Sequence, residues 1–373
     1  MKYISMFSVL VLFTVAATAS DDAYQFRHPF QGASAVYTST NAVDRNEILV
    51  YRRSNDGSLR LSHRVDTRGR GTGAGLGNQG ALALSKNGRT LYAVNAGSND
   101  ISVFALGGSR PVLVQKVPSG GEMPLSITLH EDLLYVLNGG GAGNIAGFYV
   151  GDERRVHAIP NSTQPLSSAA SGPAQISFNI FGDVLVVTEK MTNKIVLYDV
   201  VDGYAQAPQA RDSAGMTPFG FAFDRHDNLI VSEAFGGAAG ASVTSSYELD
   251  GAAYPLEAVS PTVGLGQTAA CWVAVAKNGR FAYVTNTGSS TITGFSIARN
   301  GALTSLNADG VAARTGSGSM PIDVAASSNG RFLFALSGNV GTISGYRIAD
   351  DGSLRFASRV DGVPASASGL VAH

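Results

Sequence analysis

A repeat limits this chain more than any other feature. Leu84-Ser85-Lys86-Asn87-Gly88-Arg89-Thr90-Leu91-Tyr92-Ala93-Val94-Asn95, Val275-Ala276-Lys277-Asn278-Gly279-Arg280-Phe281-Ala282-Tyr283-Val284-Thr285-Asn286 and Ala326-Ser327-Ser328-Asn329-Gly330-Arg331-Phe332-Leu333-Phe334-Ala335-Leu336-Ser337 nearly superimpose. Gly88, Gly279 and Gly330 mark the same turn in each. Weaker copies at Asp132, Gly182 and Asn228 place that turn at intervals of 44, 50, 46, 51 and 51 residues. Self-similarity at this period belongs to stacked supersecondary units that share a core, not to two or three independent domains.

Each copy runs in one order: an apolar stretch, an Asn-Gly-type turn, a second β-rich stretch, a polar Gly/Ser loop, a third stretch, and often another Asp-Gly or Asn-Gly turn. Asn-Gly between short β-rich stretches signals a hairpin and predicts type I′ turns with positive φ at both central residues. The third stretches, such as Ile101-Ser102-Val103-Phe104 and Ile195-Val196-Leu197-Tyr198, complete a four-stranded antiparallel unit, a propeller blade. Six complete copies start near Gln79, Pro124, Pro173, Pro218, Ala270 and Pro321. The segment from Ala35 to Val65 holds three outer strands without an inner one, and Ser368-Gly369-Leu370-Val371-Ala372 reads as an inner strand with nothing after it. Joined, they make a seventh blade and remove the open sheet edges that invite aggregation. The expected fold is therefore all-β: a seven-bladed β-propeller over residues 35–373, closed by its C-terminal strand.

Composition agrees with this reading. The hydrophobic share is 44%, the charged share 15% and the net charge −1, which excludes general disorder and an electrostatic nucleic-acid binder. Forty-five glycines, about 12% of the chain against a usual ~7%, are absorbed by turns and a crowded axis. One cysteine, Cys271, excludes an internal disulfide and a multi-cysteine zinc site and reads as a buried small hydrophobe. Residues 1–20 place Lys2 before an apolar stretch and end in Ala17-Thr18-Ala19, the pattern of a secretory signal peptide. Residues 21–34 form a lead-in. The expected product is a secreted or periplasmic monomer with no membrane span after cleavage, and Asn161-Ser162-Thr163 is an N-glycosylation sequon.

The repeat also sorts residues by position. In a propeller the first strand of each blade lines the central channel, and its start shares a face with the loops after the second strand. Five residues before the turn glycine, or at the aligned position in the weaker copies at Asp132 and Asn228, stand Ala83, Thr128, Ser177, Ala222, Ala274 and Ala325, small enough for the axis. Two residues further back, at the channel mouth, the column reads Ala81, Ser126, Gln175, Gly220, Trp272 and Asp323, with Gly369 from the closing strand. A column that differs blade by blade suits a binding face, so Gln175, Trp272 and Asp323, with Gln79 beside them, are candidate substrate contacts. The competing reading is a set of polar residues meeting backbone groups or water at the channel rim.

The second strands end in Asn95, Asn138, Glu189, Glu233, Asn286 and Ser337. Asparagine there is a turn residue or, at Asn138 and Asn286, a substrate contact. Glu189 and Glu233 break the pattern on neighbouring blades, and two carboxylates at one mouth are candidate catalytic acid and base. Alternatively they bind a cation, or Glu189 pairs with Lys190 or Lys194 while Glu233 caps the Phe235-Gly236-Gly237 loop. Arg70, in the glycine-rich run Arg68 to Gly77, and Arg314 are candidates to hold a substrate carboxylate. That run lacks a Gly-Lys-Ser/Thr element and a following helix, so it is not a phosphate-binding loop. The six histidines show no ligand spacing, there is no Gly-x-Ser-x-Gly element, and no cofactor or metal is expected.

The repeated Ser-x-Asn-Gly-Arg-x-Leu-Tyr-x-x-Asn pattern (Ser85 to Asn95), Gly172-Pro173-Ala174-Gln175, Val187-Thr188-Glu189-Lys190, Ser232-Glu233-Ala234-Phe235-Gly236-Gly237 and Gln267-Thr268-Ala269-Ala270-Cys271-Trp272 together resemble the seven-bladed lactonase propellers. That group contains bacterial 6-phosphogluconolactonase of the propeller type and fungal 3-carboxy-cis,cis-muconate cyclase. The resemblance covers residues 35–372 and implies metal-independent opening or closing of a lactone of a small carbohydrate or organic acid. Several members place a histidine after the proline that opens an inner strand, where this chain has Leu125 and Phe219. Position alone, not the resemblance, names Glu189 and Glu233, and the expected mechanism is proton transfer by one of these carboxylates, with Gln175 and Asn138 orienting the ring and Trp272 as an apolar wall. The rival class is a non-catalytic propeller that binds a ligand or partner, since fold alone does not fix chemistry.

Overall fold

The computed structural model describes residues 34–108, 110–249 and 255–373. The expected signal peptide and nearly all of the lead-in lie outside the described residues. Seven antiparallel sheets follow one another around a ring, each with its inner strand beside the axis. The inner strands are Leu82–Leu84, Pro124–His130, Pro173–Phe178, Pro218–Phe223, Ala270–Val275 and Pro321–Ala326 for blades 2 to 7. Blade 1 takes its inner strand from the chain's end: Ser368–Ala372 pairs with Ala35–Ser39, with Tyr37 opposite Val371 and Thr38 opposite Leu370. The start of every blade falls within three residues of its sequence-expected position.

The hairpins form as expected, but their turns differ from the predicted type I′. Gly88, Gly279 and Gly330 have φ of 65°, 66° and 72°, whereas Asn87, Asn278 and Asn329 are not in the left-handed region. The turn closes one residue earlier, with Gly88 N donating to Ser85 O at 2.8 Å. The asparagine side chain explains why: Asn87 Oδ1 accepts from Arg89 N at 3.0 Å and from Ser85 Oγ at 2.8 Å, and Asn329 repeats both contacts. The side chain thus caps the loop in place of a second positive φ.

Second strands such as Thr90–Asn95, Val184–Glu189 and Phe281–Asn286 are buried along their whole length because blades pack against both of their faces. Hence their near-continuous apolar sequence rather than alternation. The core is accordingly a ring of interfaces. Val36, Leu49 and Tyr51 of blade 1 meet Phe332, Phe334 and Leu336 of blade 7, and equivalent clusters join each further pair of neighbours. Three blades depart from four strands. In blades 3, 4 and 6 the outer strand is split into two short pieces that both pair with the third strand, for example Val156–Ala158 and Gln164–Pro165. Pro160 and Pro208 stand in two of these interruptions, where a ladder N–H would be required.

Candidate functional site

Loops that enter the inner strands and loops that leave the second strands lie on one face and are hydrogen-bonded to each other blade by blade. Gly139 N donates to Met123 O, Lys190 N to Gly172 O, Ala234 N to Thr217 O and Gly338 N to Met320 O. Across the middle of this face runs the glycine-rich segment that precedes blade 2. Asn78 Nδ2 donates to Leu125 O of blade 3, Ser368 Oγ of blade 1 donates to Asn78 Oδ1 at 3.1 Å, and Trp272 Nε1 of blade 6 donates to Asn78 O at 2.7 Å. Gln79 N donates to Ala174 O of blade 4 at 3.1 Å. Two residues thus bond to four blades around the axis.

The variable column at the start of the inner strands joins each blade to the next. Gln175 Nε2 donates to Phe221 O at 2.9 Å and Phe221 N donates to Gln175 Oε1 at 2.8 Å, so its carboxamide is engaged on both sides. Ser126 makes the corresponding link, accepting from Ile176 N at 3.2 Å. Blade 5 has Gly220 in this column, and Gln79 comes across to do its work: Nε2 donates to Val273 O at 2.9 Å and Oε1 accepts from Val273 N at 3.1 Å. A Cβ on Gly220 would lie 2.3 Å from Gln79 Oε1, so the missing side chain makes room for the visiting one. Asp323 links blade 7 to blade 1. Its carboxylate accepts from Val324 N at 2.7 Å and from the Leu370 backbone, leaves Oδ2 without a hydrogen-bond partner, and is 1% exposed. Burial drives its pKa well above the usual carboxylate range, which favours the neutral acid.

The column at the ends of the second strands is also turned into the protein. Glu189 is fully buried and accepts from Ser167 N at 2.9 Å, from Ser167 Oγ and from Thr192 Oγ1 at 2.7 Å. Glu233, equally buried, accepts from Ser213 Oγ at 2.7 Å, Gly215 N at 2.8 Å, Ser245 Oγ at 2.6 Å and Tyr247 OH at 3.1 Å. Each carboxylate therefore anchors a loop of its own region. Neither alternative partner is used: Lys194 pairs with Asp212 at 2.6 Å, and Glu233 holds residues 213–215 rather than the 235–237 loop. Asn138 and Asn286 do the same work, donating to Asn144 Oδ1 at 2.8 Å and to Thr293 Oγ1 at 2.9 Å. Arg70 and Arg314 are exposed, and Arg314 forms the outer edge of blade 6 opposite Thr291. Asn161 is exposed in a turn with φ of 60°, beside a cavity of about 480 Å³ lined by Val117, Phe148, Val156 and Ile159 between blades 2 and 3.

The mouth holds one group that sequence reasoning treated only as a partner for Glu189. Lys190 leaves the second strand of blade 4 and turns over the axis, where Nζ donates to Gly77 O at 2.6 Å. Nζ also lies 4.7 Å from the centroid of the Phe219 ring, which packs on Trp272 at 5.1 Å. Thr188 Oγ1 donates to Phe219 O at 2.5 Å and fixes the strand that carries the ring. No carboxylate pairs with Lys190 among the described residues, and loss of water lowers its pKa from 10.5 to about 8, with the neighbouring Cys271 acting the other way. Burial pushes the Cys271 thiol up to about 12, against a hydrogen bond from Thr287 and the Lys190 charge, so it remains a thiol. The contacts of Lys190 come from positions 77, 219 and 271, and no local pattern marks it. Among the described residues no cluster of three or more His, Cys, Asp or Glu could hold a metal, and no helix is long and apolar enough to cross a membrane.

Solved structures with this ring include a provisionally assigned 6-phosphogluconolactonase from Bacteroides uniformis, 15% identical with a TM-score of 0.69, where the match covers 90% of this chain and 99% of that one. A periplasmic gluconolactonase from Pseudomonas aeruginosa is 18% identical at a TM-score of 0.64, with coverage of 90% and 98%. A protein from Lactobacillus plantarum is 16% identical at 0.68, with coverage of 90% and 98%. At these identities the likeness is one of fold. No curated protein matches the chain. The sequence itself matches the model of the seven-bladed β-propeller lactonases over residues 40–155 and 235–362, most of the ring, and the chain belongs to that lactonase family.

Proposed function

We propose that this propeller opens the ring of a small carbohydrate or organic-acid lactone at the mouth, with Lys190 as the group that stabilises charge and moves the proton. One observation carries the reading: a half-buried ammonium lies over the axis on an aromatic ring, bonded to a backbone carbonyl and paired with no carboxylate. Such a cation is available to an oxygen that gains negative charge when water adds to an ester carbonyl, and it is worth most where water is excluded. A group whose pKa is about 8 also exchanges a proton readily near neutral pH. The half-buried Phe219 supplies an apolar wall for the ring, backed by the buried Trp272. Membership of the lactonase family supports the reaction class. Glu189 and Glu233, the carboxylates singled out by position, have their oxygens committed to loop N–H and O–H groups, which supports an anchoring part for them. An exported location is supported by the residues 1–20 pattern alone.

The test is hydrolysis of a panel of γ- and δ-lactones by the wild type, Lys190→Met, Glu189→Gln and Glu233→Gln. Lys190→Met is expected to lower kcat/KM by about 100-fold or more, the usual worth of one acid–base group, while the two glutamine variants keep the rate per folded molecule. Turnover that survives in Lys190→Met but disappears in a folded Glu233→Gln would return the chemistry to the carboxylates. Binding without turnover across the panel would make this a ligand-binding propeller.

A further inference from the structure

We propose that Asn161 carries an N-linked glycan whose first N-acetylglucosamine lies in the cavity between blades 2 and 3. The inference needs the export expected from residues 1–20 and is independent of the ring-opening reading. Asn161-Ser162-Thr163 is the single sequon of the chain, and it falls where the outer strand of blade 3 is interrupted. Val156–Ala158 pairs with the end of the third strand and Gln164–Pro165 with its start, so Ala146 and Gly147 have no outer strand beside them. Ser162 closes this break. It is buried, its Oγ accepts from Gly147 N at 3.0 Å and lies 2.7 Å from Ile159 O, and Ile159 N donates to Gly147 O at 3.0 Å. The middle residue of the sequon is thus held inward, while the two that carry its chemistry, Asn161 and Thr163, are exposed on either side. A glycan needs that exposure.

The second observation is the cavity beside them. Ser162 and Thr163 line it, with exposed Pro118 and Ala158 and half-buried Val117 and Ile159 as apolar walls. Its volume of about 480 Å³ falls in the ~300–1,000 Å³ range of small-ligand sites. Ser162 and Ile159 already satisfy the Gly147 N–H and carbonyl, so the walls offer apolar surface rather than unpaired backbone. A pyranose has faces rich in C–H groups and N-acetylglucosamine adds a methyl, and covering both sets of apolar atoms is favourable. His157, exposed at the same cavity, has ring nitrogens for the sugar's hydroxyls. The tether selects the occupant: a sugar joined to Asn161 is held beside the cavity at high effective concentration, whereas a free ligand needs affinity of its own.

The co-reactant is a lipid-pyrophosphate oligosaccharide of a secretory pathway. Asn161 Nδ2 gives up a proton and bonds to C1 of the first sugar, and the C1–oxygen bond breaks as the lipid pyrophosphate leaves with its electron pair. The full chain with its own N-terminus is produced in a glycoprotein-secreting yeast, and its peptides are mapped by mass. One glycan is expected, on Asn161, and it should be absent from Thr163→Ala. A secreted chain with Asn161 unmodified, or a chain that never enters the pathway, would overturn the site. The seat is measured on the folded glycoprotein with peptide N-glycosidase, which cuts the bond between Asn161 and the sugar. Reaching a bond held in the cavity requires local opening, so cleavage of the folded chain should be more than about tenfold slower than after denaturation. An endoglycosidase that cuts between the first two sugars should act on folded and denatured chains alike. Ile159→Ser keeps the N–H that bonds Gly147 O but removes an apolar wall, and should speed native release without changing occupancy. Native release as fast as from the denatured chain, or unchanged by Ile159→Ser, would overturn the seating of the sugar.

Discussion

Gln79 and Val273 stand 194 residues apart and are joined across the channel mouth by a pair of hydrogen bonds, at 2.9 and 3.1 Å, that copies the pair between Gln175 and Phe221. In blade 4 the strand supplies its own glutamine, whereas in blade 5 Gly220 leaves the place empty and the glycine-rich segment fills it. The consequence is measurable. Gln79→Ala leaves the Val273 N–H and carbonyl without their side-chain partner and should cost about 1–3 kcal/mol in urea unfolding. Gly220→Ala should cost more, because its Cβ would meet Cys271 O at 2.6 Å and Trp272 Cα at 2.9 Å, which are backbone atoms, besides Gln79. If Gly220→Ala were neutral, the substitution of one side chain for another across the axis would be wrong.

Asp323 gives a prediction in the opposite direction. Its carboxyl is buried with Oδ2 unpartnered, and its pKa in the folded protein lies well above the 3.8 of the free group. Above about pH 4 the unfolded chain releases this proton while the folded chain keeps it, so the folded state binds more protons and stability falls as pH rises. Asp323→Asn keeps an acceptor for Val324 N and removes the titration. It should be more stable than the wild type at pH 7, by about 1–3 kcal/mol, and the gap should close as the pH is lowered toward 4. Thermal unfolding at pH 4, 5.5 and 7 measures it, and a gap that does not change with pH would exclude the neutral acid.

These positions show what the sequence carries and what it does not. The ring was legible because its determinants are local: turn glycines recur at a fixed interval, and second strands read as short apolar runs. The turn type was misjudged because Asn87 satisfies the loop with its side chain rather than with φ. Alignment of the repeats also put Gln175 and Asp323 in the inner strands and Glu189 and Glu233 at the ends of the second strands, as the strand bounds have them. Their direction was not legible, because it depends on what the next blade or loop offers, such as Phe221 for Gln175 or Ser213 and Gly215 for Glu233. The placement of Lys190 was not legible for the same reason, as its acceptor Gly77 is 113 residues away.

The two buried glutamates should differ from each other in a defined way. Glu233 accepts from three hydroxyls and one backbone N–H, and Glu189 from two hydroxyls and one backbone N–H. Hydroxyls can turn to accept from a carboxamide, but Gly215 N and Ser167 N cannot. Each Glu→Gln change should therefore destabilise by about 1–3 kcal/mol, more for Glu233 with its larger set, without altering the secondary structure seen by circular dichroism. Equal stability of both variants and the wild type would show that these carboxylates do not anchor their loops.

Lys190 imposes a pH dependence that its replacement removes. Its pKa is about 8 in the folded protein against 10.5 for the free side chain. Below pH 8 both states hold the proton and the folded state bears the full cost of a poorly hydrated ammonium. Between about pH 8 and 10.5 the folded protein has released a proton that the unfolded chain still binds, so this group makes stability rise with pH across that window. Several buried tyrosines act oppositely at the upper end: Tyr37, Tyr92 and Tyr247 are raised to about 12 by burial, so stability falls as pH passes 10. The comparison of wild type with Lys190→Met cancels the tyrosines. Urea midpoints at pH 7, 8, 9 and 9.5 should show Lys190→Met ahead at pH 7 and the wild type gaining on it steadily above pH 8. Parallel curves for the two proteins would mean that the amine is as well hydrated in the folded protein as in the unfolded chain, and would remove the physical basis for giving it any special reactivity.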